Sequence, residues 1–146
     1  MRIEKSVEIS TTPDKVWPFL IEPEKILKWC STFIKFEYTS EQNRGMGAHI
    51  YVEEKAGGPL MKINFAVTEW VENEKLTLNM TSGSGVKSYR IMHTLELSPN
   101  GCAYTFMEEF ELPLGIMGKA IEAVGKGVAK RHINEYLDEL KRLVEV

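Results

Sequence analysis

The sequence predicts an α+β fold in which a curved antiparallel sheet of about seven strands grips a long C-terminal helix. Residues 115–146 carry apolar side chains at helical spacing and contain no proline. A first strand pattern is followed by two short helix patterns, each of which begins at a proline. The middle of the chain alternates strand patterns with short turn signals, which favours antiparallel neighbours.

The first strand and the two short helices occupy the N-terminal fifth of the chain. Apolar and polar side chains alternate over residues 2–10, as in a half-buried strand. Thr12 is placed to cap a helix that begins at Pro13, and Pro18 keeps that helix short or bent. A second helix of similar length begins at Pro23. Two small helices are therefore expected between the first strand and the rest of the sheet.

Six further strand segments follow, separated by turn-forming residues. They cover residues 33–39, 49–55, 62–70, 75–80, 87–97 and 102–112. A Ser-Gly-Ser-Gly segment at residues 82–85 is expected to break the chain between the fourth and fifth of these strands. Connections this short join antiparallel neighbours, so this part of the chain is expected to form a meander.

The C-terminal helix carries two apolar stripes. At about 100° per residue, the stripes lie roughly 140° apart. One contains Met117, Ile121, Val124 and Val128, and the other contains Ala129, Ile133, Leu137, Leu140 and Val144. The change of face falls near Gly125 and Gly127, where each interior glycine weakens a helix by about 1 kcal/mol. We expect a bend or a loosened turn there, either because the glycines allow close approach to the sheet or because this half is a mobile lid.

Composition and charge narrow the functional classes. The chain has 146 residues without an internal repeat or linker, which predicts a single domain over residues 1–146. A net charge of -3 and the absence of a basic cluster argue against nucleic acid as a partner. No apolar run reaches membrane-spanning length and the N-terminus does not resemble a signal peptide, so a soluble, cytoplasmic protein without stable membrane insertion is expected. The oligomeric state stays open.

Cofactor and metal motifs are not found in the sequence. Cys30 and Cys102 lack CxxC or Cys/His spacing and are expected to be free thiols. The histidines lack the i, i+4 spacing of a helical metal site, and no phosphate loop or G-x-S-x-G motif occurs. His132 is expected either beneath the sheet or at a half-exposed helix boundary. No metal and no cofactor are expected.

The last hairpin brings two candidate catalytic residues, His93 and Glu108, to one face. If residues 99–100 form the turn, His93 pairs with Phe106 and Ile91 pairs with Glu108. His93 and Glu108 are then diagonal neighbours, with backbones about 7–8 Å apart. A carboxylate on an otherwise apolar face must be paired, hydrated or protonated, because unpaired burial is costly. Glu108 is therefore a candidate site residue.

Two interpretations of this pair stay open. In the functional one, Glu108 and His93 form a general acid/base pair while Tyr89 or Tyr104 positions a carbonyl or hydroxyl of the ligand. In the structural one, Glu108 pairs with Arg90, His93 or another neighbour, or a bulge turns it to solvent. A register change of one residue would exchange the two faces of the hairpin.

Four short motifs occur in an informative order along the whole chain. They are TPDKVW at residues 12–17, VTEW at 67–70, TLEL at 94–97 and FELP at 110–113. In order and spacing they resemble the START-like, helix-grip superfamily, and within it the polyketide cyclase/dehydrase and lipid-transport family. The resemblance implies a seven-stranded sheet wrapped on the C-terminal helix around an apolar cavity. It does not imply one activity, because the superfamily contains carriers, sensors and enzymes.

Aromatic and other apolar side chains are the expected ligand-binding residues of that cavity. They are Trp17, Trp29, Phe36, Tyr51, Phe65, Met80, Tyr89, Tyr104, Phe106, Met117, Ile121 and Val124. Most large apolar side chains fill a core, so the cavity itself is an expectation from the resemblance. In the third strand, the sequence leaves open whether His49 and Tyr51 or Ala48, Ile50 and Val52 face inward.

Three functions are compatible with these patterns. The first is binding or transport of a small hydrophobic or aromatic molecule, such as a lipid or polyketide, between the sheet and the C-terminal helix. The alternative is an enzyme of the polyketide cyclase, aromatase or dehydratase type that uses His93 and Glu108. The third is a protein-interaction or stress-response module, which a cavity too small for a ligand would favour.

Overall fold

A computed structural model describes the backbone of residues 1–113 and 118–146, and the side chains of residues 1–113 and 123–146. The elements in chain order are β1 Arg2–Ile9, α1 Pro13–Ile21, α2 Pro23–Trp29, β2 Phe33–Tyr38, β3 His49–Glu54, β4 Met61–Val71, β5 Lys75–Ser84, β6 Ser88–Ser98, β7 Gly101–Glu111 and α3 Gly118–Val144. The predicted α+β fold is confirmed, with seven strands, two short helices after the first and one long C-terminal helix.

The strands form one antiparallel sheet in the order β1-β7-β6-β5-β4-β3-β2. Strands β2 to β7 follow one another as the predicted meander, and β1 closes the far edge by pairing with β7. The predicted register of the last hairpin is confirmed, because His93 pairs with Phe106 and Ile91 with Glu108. The first strand of the chain therefore lies beside the last one, β7.

Strand β5 is longer than the sequence predicts. The expected break at residues 82–85 is wrong, because β5 continues to Ser84 and the chain turns at Gly85 with a φ of +86°. Gly83 still pairs with β4, where an added Cβ would lie 2.7 Å from the Lys62 carbonyl oxygen. The missing side chain therefore allows a close approach of two strands at a place where a turn was expected.

The sheet is irregular where it curls. Strand β5 pairs with β6 from Lys75 to Asn79, and after Asn79 its residues pair only with β4 in the described part of the sheet. Register shifts also occur in β2 and β4. Such irregularities bend strands and increase local twist, so they suit a sheet that wraps around a helix.

Helix α3 is continuous through Gly125 and Gly127. Its C-terminal half packs into the core through Ile133, Tyr136, Leu137 and Leu140. Its N-terminal half is more open, since Val124 is 70% exposed. The expected bend stays a prediction, and Met117 and Ile121 lie outside the residues whose side chains are described. No helix in the described part of the chain is long and apolar enough to cross a membrane.

The core occupies the concave side of the sheet. Its largest fully buried side chains include Trp29, Tyr104, Phe65 and Phe106. Ile50 and Val52 of β3 and the preceding Ala48 are buried, whereas His49 is exposed, which decides the strand face that the sequence left open. Tyr51 shares the outer face with His49, and its hydroxyl donates to Glu53 at 3.0 Å.

Candidate functional site

A cavity of about 570 Å³ lies beneath the N-terminal half of α3. Its walls come from residues 56–59 of the β3–β4 loop, from Gly85 and Val86 between β5 and β6, and from one face of α3. Most of the lining is apolar and includes Met61, Phe110, Leu112, Val128, Ala129 and Ile133. Cavities of roughly 300–1,000 Å³ with apolar walls and a few polar groups are typical of small-molecule sites.

Polar side chains gather at one part of this wall. Glu54, Glu108, Tyr89 and Tyr136 all line the cavity. The Tyr89 hydroxyl lies 3.0 Å from Glu54 Oε1 and 2.9 Å from Glu108 Oε2. Thr32 Oγ1 donates to Glu54 Oε2 at 2.8 Å and is also hydrogen-bonded to the Tyr136 hydroxyl. We call these five side chains the carboxyl cluster.

Sheet curvature brings the two carboxyls together. Glu54 ends β3 and Glu108 lies in β7, and three strands separate β3 from β7 in the sheet order. Four strand spacings of about 4.8 Å would place them about 19 Å apart in a flat sheet. Their oxygens instead flank one phenol hydroxyl within 3.0 Å on each side. The curl that houses α3 therefore also builds the cluster.

The proton count of the cluster is constrained by Tyr89. A phenol has one proton, so its hydroxyl can donate to one carboxylate and must accept from the other carboxyl, which is then protonated. Glu54 and Glu108 are 4% and 6% exposed, and neither takes part in an ion pair formed by the described residues. The geometry therefore requires at least one proton on the two carboxyls, so together they carry at most one negative charge.

Burial sets which carboxyl keeps the proton. Burial and, to a smaller extent, the charge of Glu54 raise the pKa of Glu108 to about 8, while the Tyr89 hydroxyl acts in the opposite direction. Burial also raises the pKa of Glu54, but the hydroxyls of Thr32, Tyr89 and Tyr136 lower it. At neutral pH, Glu108 therefore holds a proton and donates to Tyr89, and Tyr89 donates to Glu54. Tyr136 donates to Thr32, and Thr32 donates to the Glu54 carboxyl group.

His93 lies in the core, outside the cavity lining. Its Nδ1 atom is 2.6 Å from the Tyr104 hydroxyl, and its ring meets Trp29 and Phe106 edge to face. Burial lowers the pKa of His93 to about 3, so the imidazole is neutral at physiological pH. His93 and Glu108 share a sheet face as predicted, but each is hydrogen-bonded to its own tyrosine.

The expected ligand-binding residues fall into five groups. Tyr89 and Val124 line the cavity. The core behind it contains Trp17, Trp29, Phe36, Phe65, Tyr104 and Phe106. Met80 borders a separate groove of about 350 Å³, and Tyr51 lies on the outer face of the sheet. Met117 and Ile121 are outside the described side chains.

Three members of the cluster were not among the residues expected from the sequence. Glu54 follows Ala48, Ile50 and Val52 on the inward face of β3, so it is a charged residue on an apolar face, the same signal that identifies Glu108. This signal can be used only when the inward face of β3 is known, and the sequence left that face open. Tyr136 belongs to the buried stripe of α3, where an aromatic residue is indistinguishable from core. Thr32 lies between α2 and β2, and no sequence pattern distinguishes it.

His132 adds a further polar atom to the cavity wall. It lines the cavity from α3, and its Nδ1 atom is buried without a hydrogen-bond partner among the described residues. This Nδ1 atom lies 3.7 Å from Glu135 Oε2, which is too far for a hydrogen bond. A buried polar atom without a partner is costly, so a ligand that supplied one would be favoured here.

No group of three His, Cys, Asp or Glu side chains suited to a metal occurs in the described part of the chain. Cys30 and Cys102 are both buried free thiols. Burial raises the pKa of Cys30, and the charges of Glu54 and Glu108 raise it further. The Cys30 thiol is therefore neutral and adds no charge beside the carboxyl cluster.

Comparison with known proteins identifies a family and several similar folds. The family model described as polyketide cyclase / dehydrase and lipid transport matches residues 1–145. No curated protein matches the chain in sequence. Among solved structures, a START superfamily protein from Mycobacterium smegmatis is similar with a TM-score of 0.79 at 15% identity, over 99% of this chain and 97% of the other.

Two further solved structures resemble the chain over nearly its whole length. The Zhui aromatase/cyclase from Streptomyces sp. R1128 has a TM-score of 0.80 at 13% identity, over 99% of this chain and 93% of the other. The ginseng major latex-like protein 151 from Panax ginseng has a TM-score of 0.72 at 9% identity, over 99% and 97%. Likeness at such low identity shows the shared fold alone.

Proposed function

Since the chain belongs to the polyketide cyclase / dehydrase and lipid-transport family, we propose that it binds a small, largely apolar molecule beneath the N-terminal half of α3. The observation that carries this proposal is the cavity of about 570 Å³, whose walls are mostly apolar and whose polar groups converge at the carboxyl cluster. The protein would act as a carrier or sequesterer of that molecule.

The lining explains how affinity and orientation would arise. Apolar surface contributes about 25 cal/mol per Å², so a ligand that buries about 200 Å² would gain about 5 kcal/mol before the cost of immobilisation. The polar end of the ligand would lie against Glu108, whose Oε1 has no hydrogen-bond partner among the described residues. An inverted ligand would leave this oxygen unpaired and would lose affinity.

A screen with a matched pair of variants tests the proposal. Aromatic polyketides, quinones, sterols and fatty acids would be ranked by the rise in Tm and by isothermal titration calorimetry, because a ligand that binds only the folded state stabilises it. Ala129→Phe fills the cavity from α3, whereas Lys130→Phe adds the same side chain at an exposed neighbouring position. Hits should lose affinity at least tenfold in Ala129→Phe and keep it in Lys130→Phe. A screen without hits, or equal affinity in both variants, would count against a cavity ligand.

A second candidate function is acid/base catalysis on a bound substrate, of the cyclase, aromatase or dehydratase type. The favouring observation is that Glu108 lines the cavity with a raised pKa of about 8, so it carries a proton at neutral pH and can donate it. Support for His93 is weaker, since its ring lies behind the lining. With a cognate substrate, Glu108→Gln should lower kcat by at least 100-fold, and His93→Gln should change it much less. Unchanged turnover in Glu108→Gln would exclude this role.

The third function, protein interaction or a stress response, has less support. It was favoured only by a cavity too small for a ligand, and about 570 Å³ is within the range of small-molecule sites. We therefore rank ligand binding first and proton transfer second.

A further inference from the structure

We propose that the cavity ligand is a hydrophobic molecule with a basic amine at one end, and that the ammonium group lies against Glu54 and Glu108. This inference rests on the proposed binding function and names the chemical class of the ligand. Both carboxyls belong to the wall of a cavity that has room for an organic molecule, so they are available to a ligand and are not sealed in the core.

The charge of the wall carries the argument. The Tyr89 hydroxyl lies between both carboxyls, so at least one of them is protonated and the pair can carry one buried negative charge at most. Burial of an unpaired carboxylate costs several kcal/mol. No Lys or Arg ion pair in the described ranges reaches Glu54 or Glu108. A cation supplied by the ligand would offset this cost.

The other titratable groups near the cluster do not supply that cation. Tyr89 faces it from β6, Tyr136 from α3 and Cys30 from the segment after α2, and burial raises the pKa of each, so all three are neutral. His132 lines the same cavity from α3, and its carboxylate neighbour is Glu135, with Nδ1 and Oε2 3.7 Å apart. Neither Glu54 nor Glu108 therefore has a cationic partner within 4 Å among the described side chains.

The rest of the wall favours an organic cation over a metal ion. Hydrated divalent cations need several oxygen ligands, whereas the rest of the lining is mostly apolar and includes Val86, Phe110 and Ile133. An ammonium group has three donors. Glu108 Oε1 has no hydrogen-bond partner among the described residues and can accept one of them. The remaining apolar part of the ligand would contact the lining.

The test compares two ligands that differ only in the polar group. 2-(2-Naphthyl)ethylamine and 2-(2-naphthyl)ethanol would be titrated into the wild-type protein at pH 7 by calorimetry. We expect the amine to bind at least tenfold more tightly.

Two variants complete the experiment. Glu54→Gln/Glu108→Gln removes both carboxyls and should reduce the amine preference to less than threefold, whereas Glu109→Gln, on the opposite face of β7, should keep it. Gln can replace a protonated carboxyl in the hydrogen bond to Tyr89, and circular dichroism would check folding. Equal affinity for the two ligands, tighter binding of the alcohol, binding of neither, or a preference that survives the double variant would each overturn the amine. The ligand screen and Ala129→Phe decide the proposed function separately.

Discussion

Replacement of Glu108 by Gln should remove a pH dependence of stability that the buried carboxyl creates. The pKa of Glu108 rises from an ordinary value of 4.5 to about 8 in the folded protein. The folded state therefore binds this proton more tightly than the unfolded state. The stability that the protonated carboxyl contributes is complete below pH 4.5 and is lost as the pH rises through 8.

The magnitude follows from the slope of this linkage. One proton difference lowers the free energy of unfolding by about 1.4 kcal/mol per pH unit. Between pH 6.5 and pH 8 the wild-type protein should therefore lose about 2 kcal/mol. This window also avoids His93, because a pKa lowered from 6.5 to about 3 affects stability only as the pH falls below 6.5.

Urea denaturation at half-unit steps from pH 6.5 to pH 9 would measure the effect. Glu108→Gln should lose less stability than the wild type over this range and should be more stable than the wild type at pH 8.5. Glu109→Gln removes a half-exposed carboxylate 3.7 Å from Arg90 on the other face of β7, and its curve should run parallel to that of the wild type. Parallel curves for wild type and Glu108→Gln would refute the assignment of a buried, protonated Glu108.

Four further predictions concern separate features. The charge of Glu54 raises the pKa of Glu108, so Glu54→Gln should lower that pKa, and a ¹³C carboxyl titration that shows no fall would contradict the coupling of the two carboxyls. Burial lowers the pKa of His93 to about 3, so its imidazole NMR shifts should stay constant from pH 8 to pH 5, and a midpoint in that range would contradict the core placement. Gly127→Ala should stabilise the protein by about 1 kcal/mol because its Cβ would meet nothing within 4 Å. Gly101→Ala should prevent stable folding because its Cβ would lie 2.2 Å from the Ile9 carbonyl oxygen, and denaturation curves check both glycine variants.

Local sequence patterns were sufficient to predict most of the fold. Prolines at the first helical positions located α1 and α2, and the Pro99-Asn100 turn determined the register that pairs His93 with Phe106. These features depend on residues that are neighbours in the chain. The end of β5 was missed because Gly83 serves a close approach between strands, and in sequence this looks the same as a turn.

The candidate site was less accessible because it depends on distant strands. Glu108 could be identified from its own hairpin, since the turn decided which face it shares with apolar neighbours. Glu54 needed the face of β3, which both adjacent loops left undecided, and its contact with Tyr89 requires the curl of the whole sheet. A sequence pattern of period two describes a strand but does not describe how far the sheet bends.

The two stripes of α3 explain why the fold keeps a cavity at one end. The C-terminal stripe places Ile133, Leu137 and Leu140 in the core, where they are at most 4% exposed. In the N-terminal half, Val124 is 70% exposed and Gly127 has no atom within 4 Å of its Cβ position. Apolar atoms that are missing from a packed interface cost stability when a void remains. The C-terminal half of α3 must therefore supply the packing energy that the N-terminal half does not. The same helix thus packs through one stripe and borders the cavity through Val124, Val128 and Ala129, which leaves room for a ligand beside the carboxyl cluster.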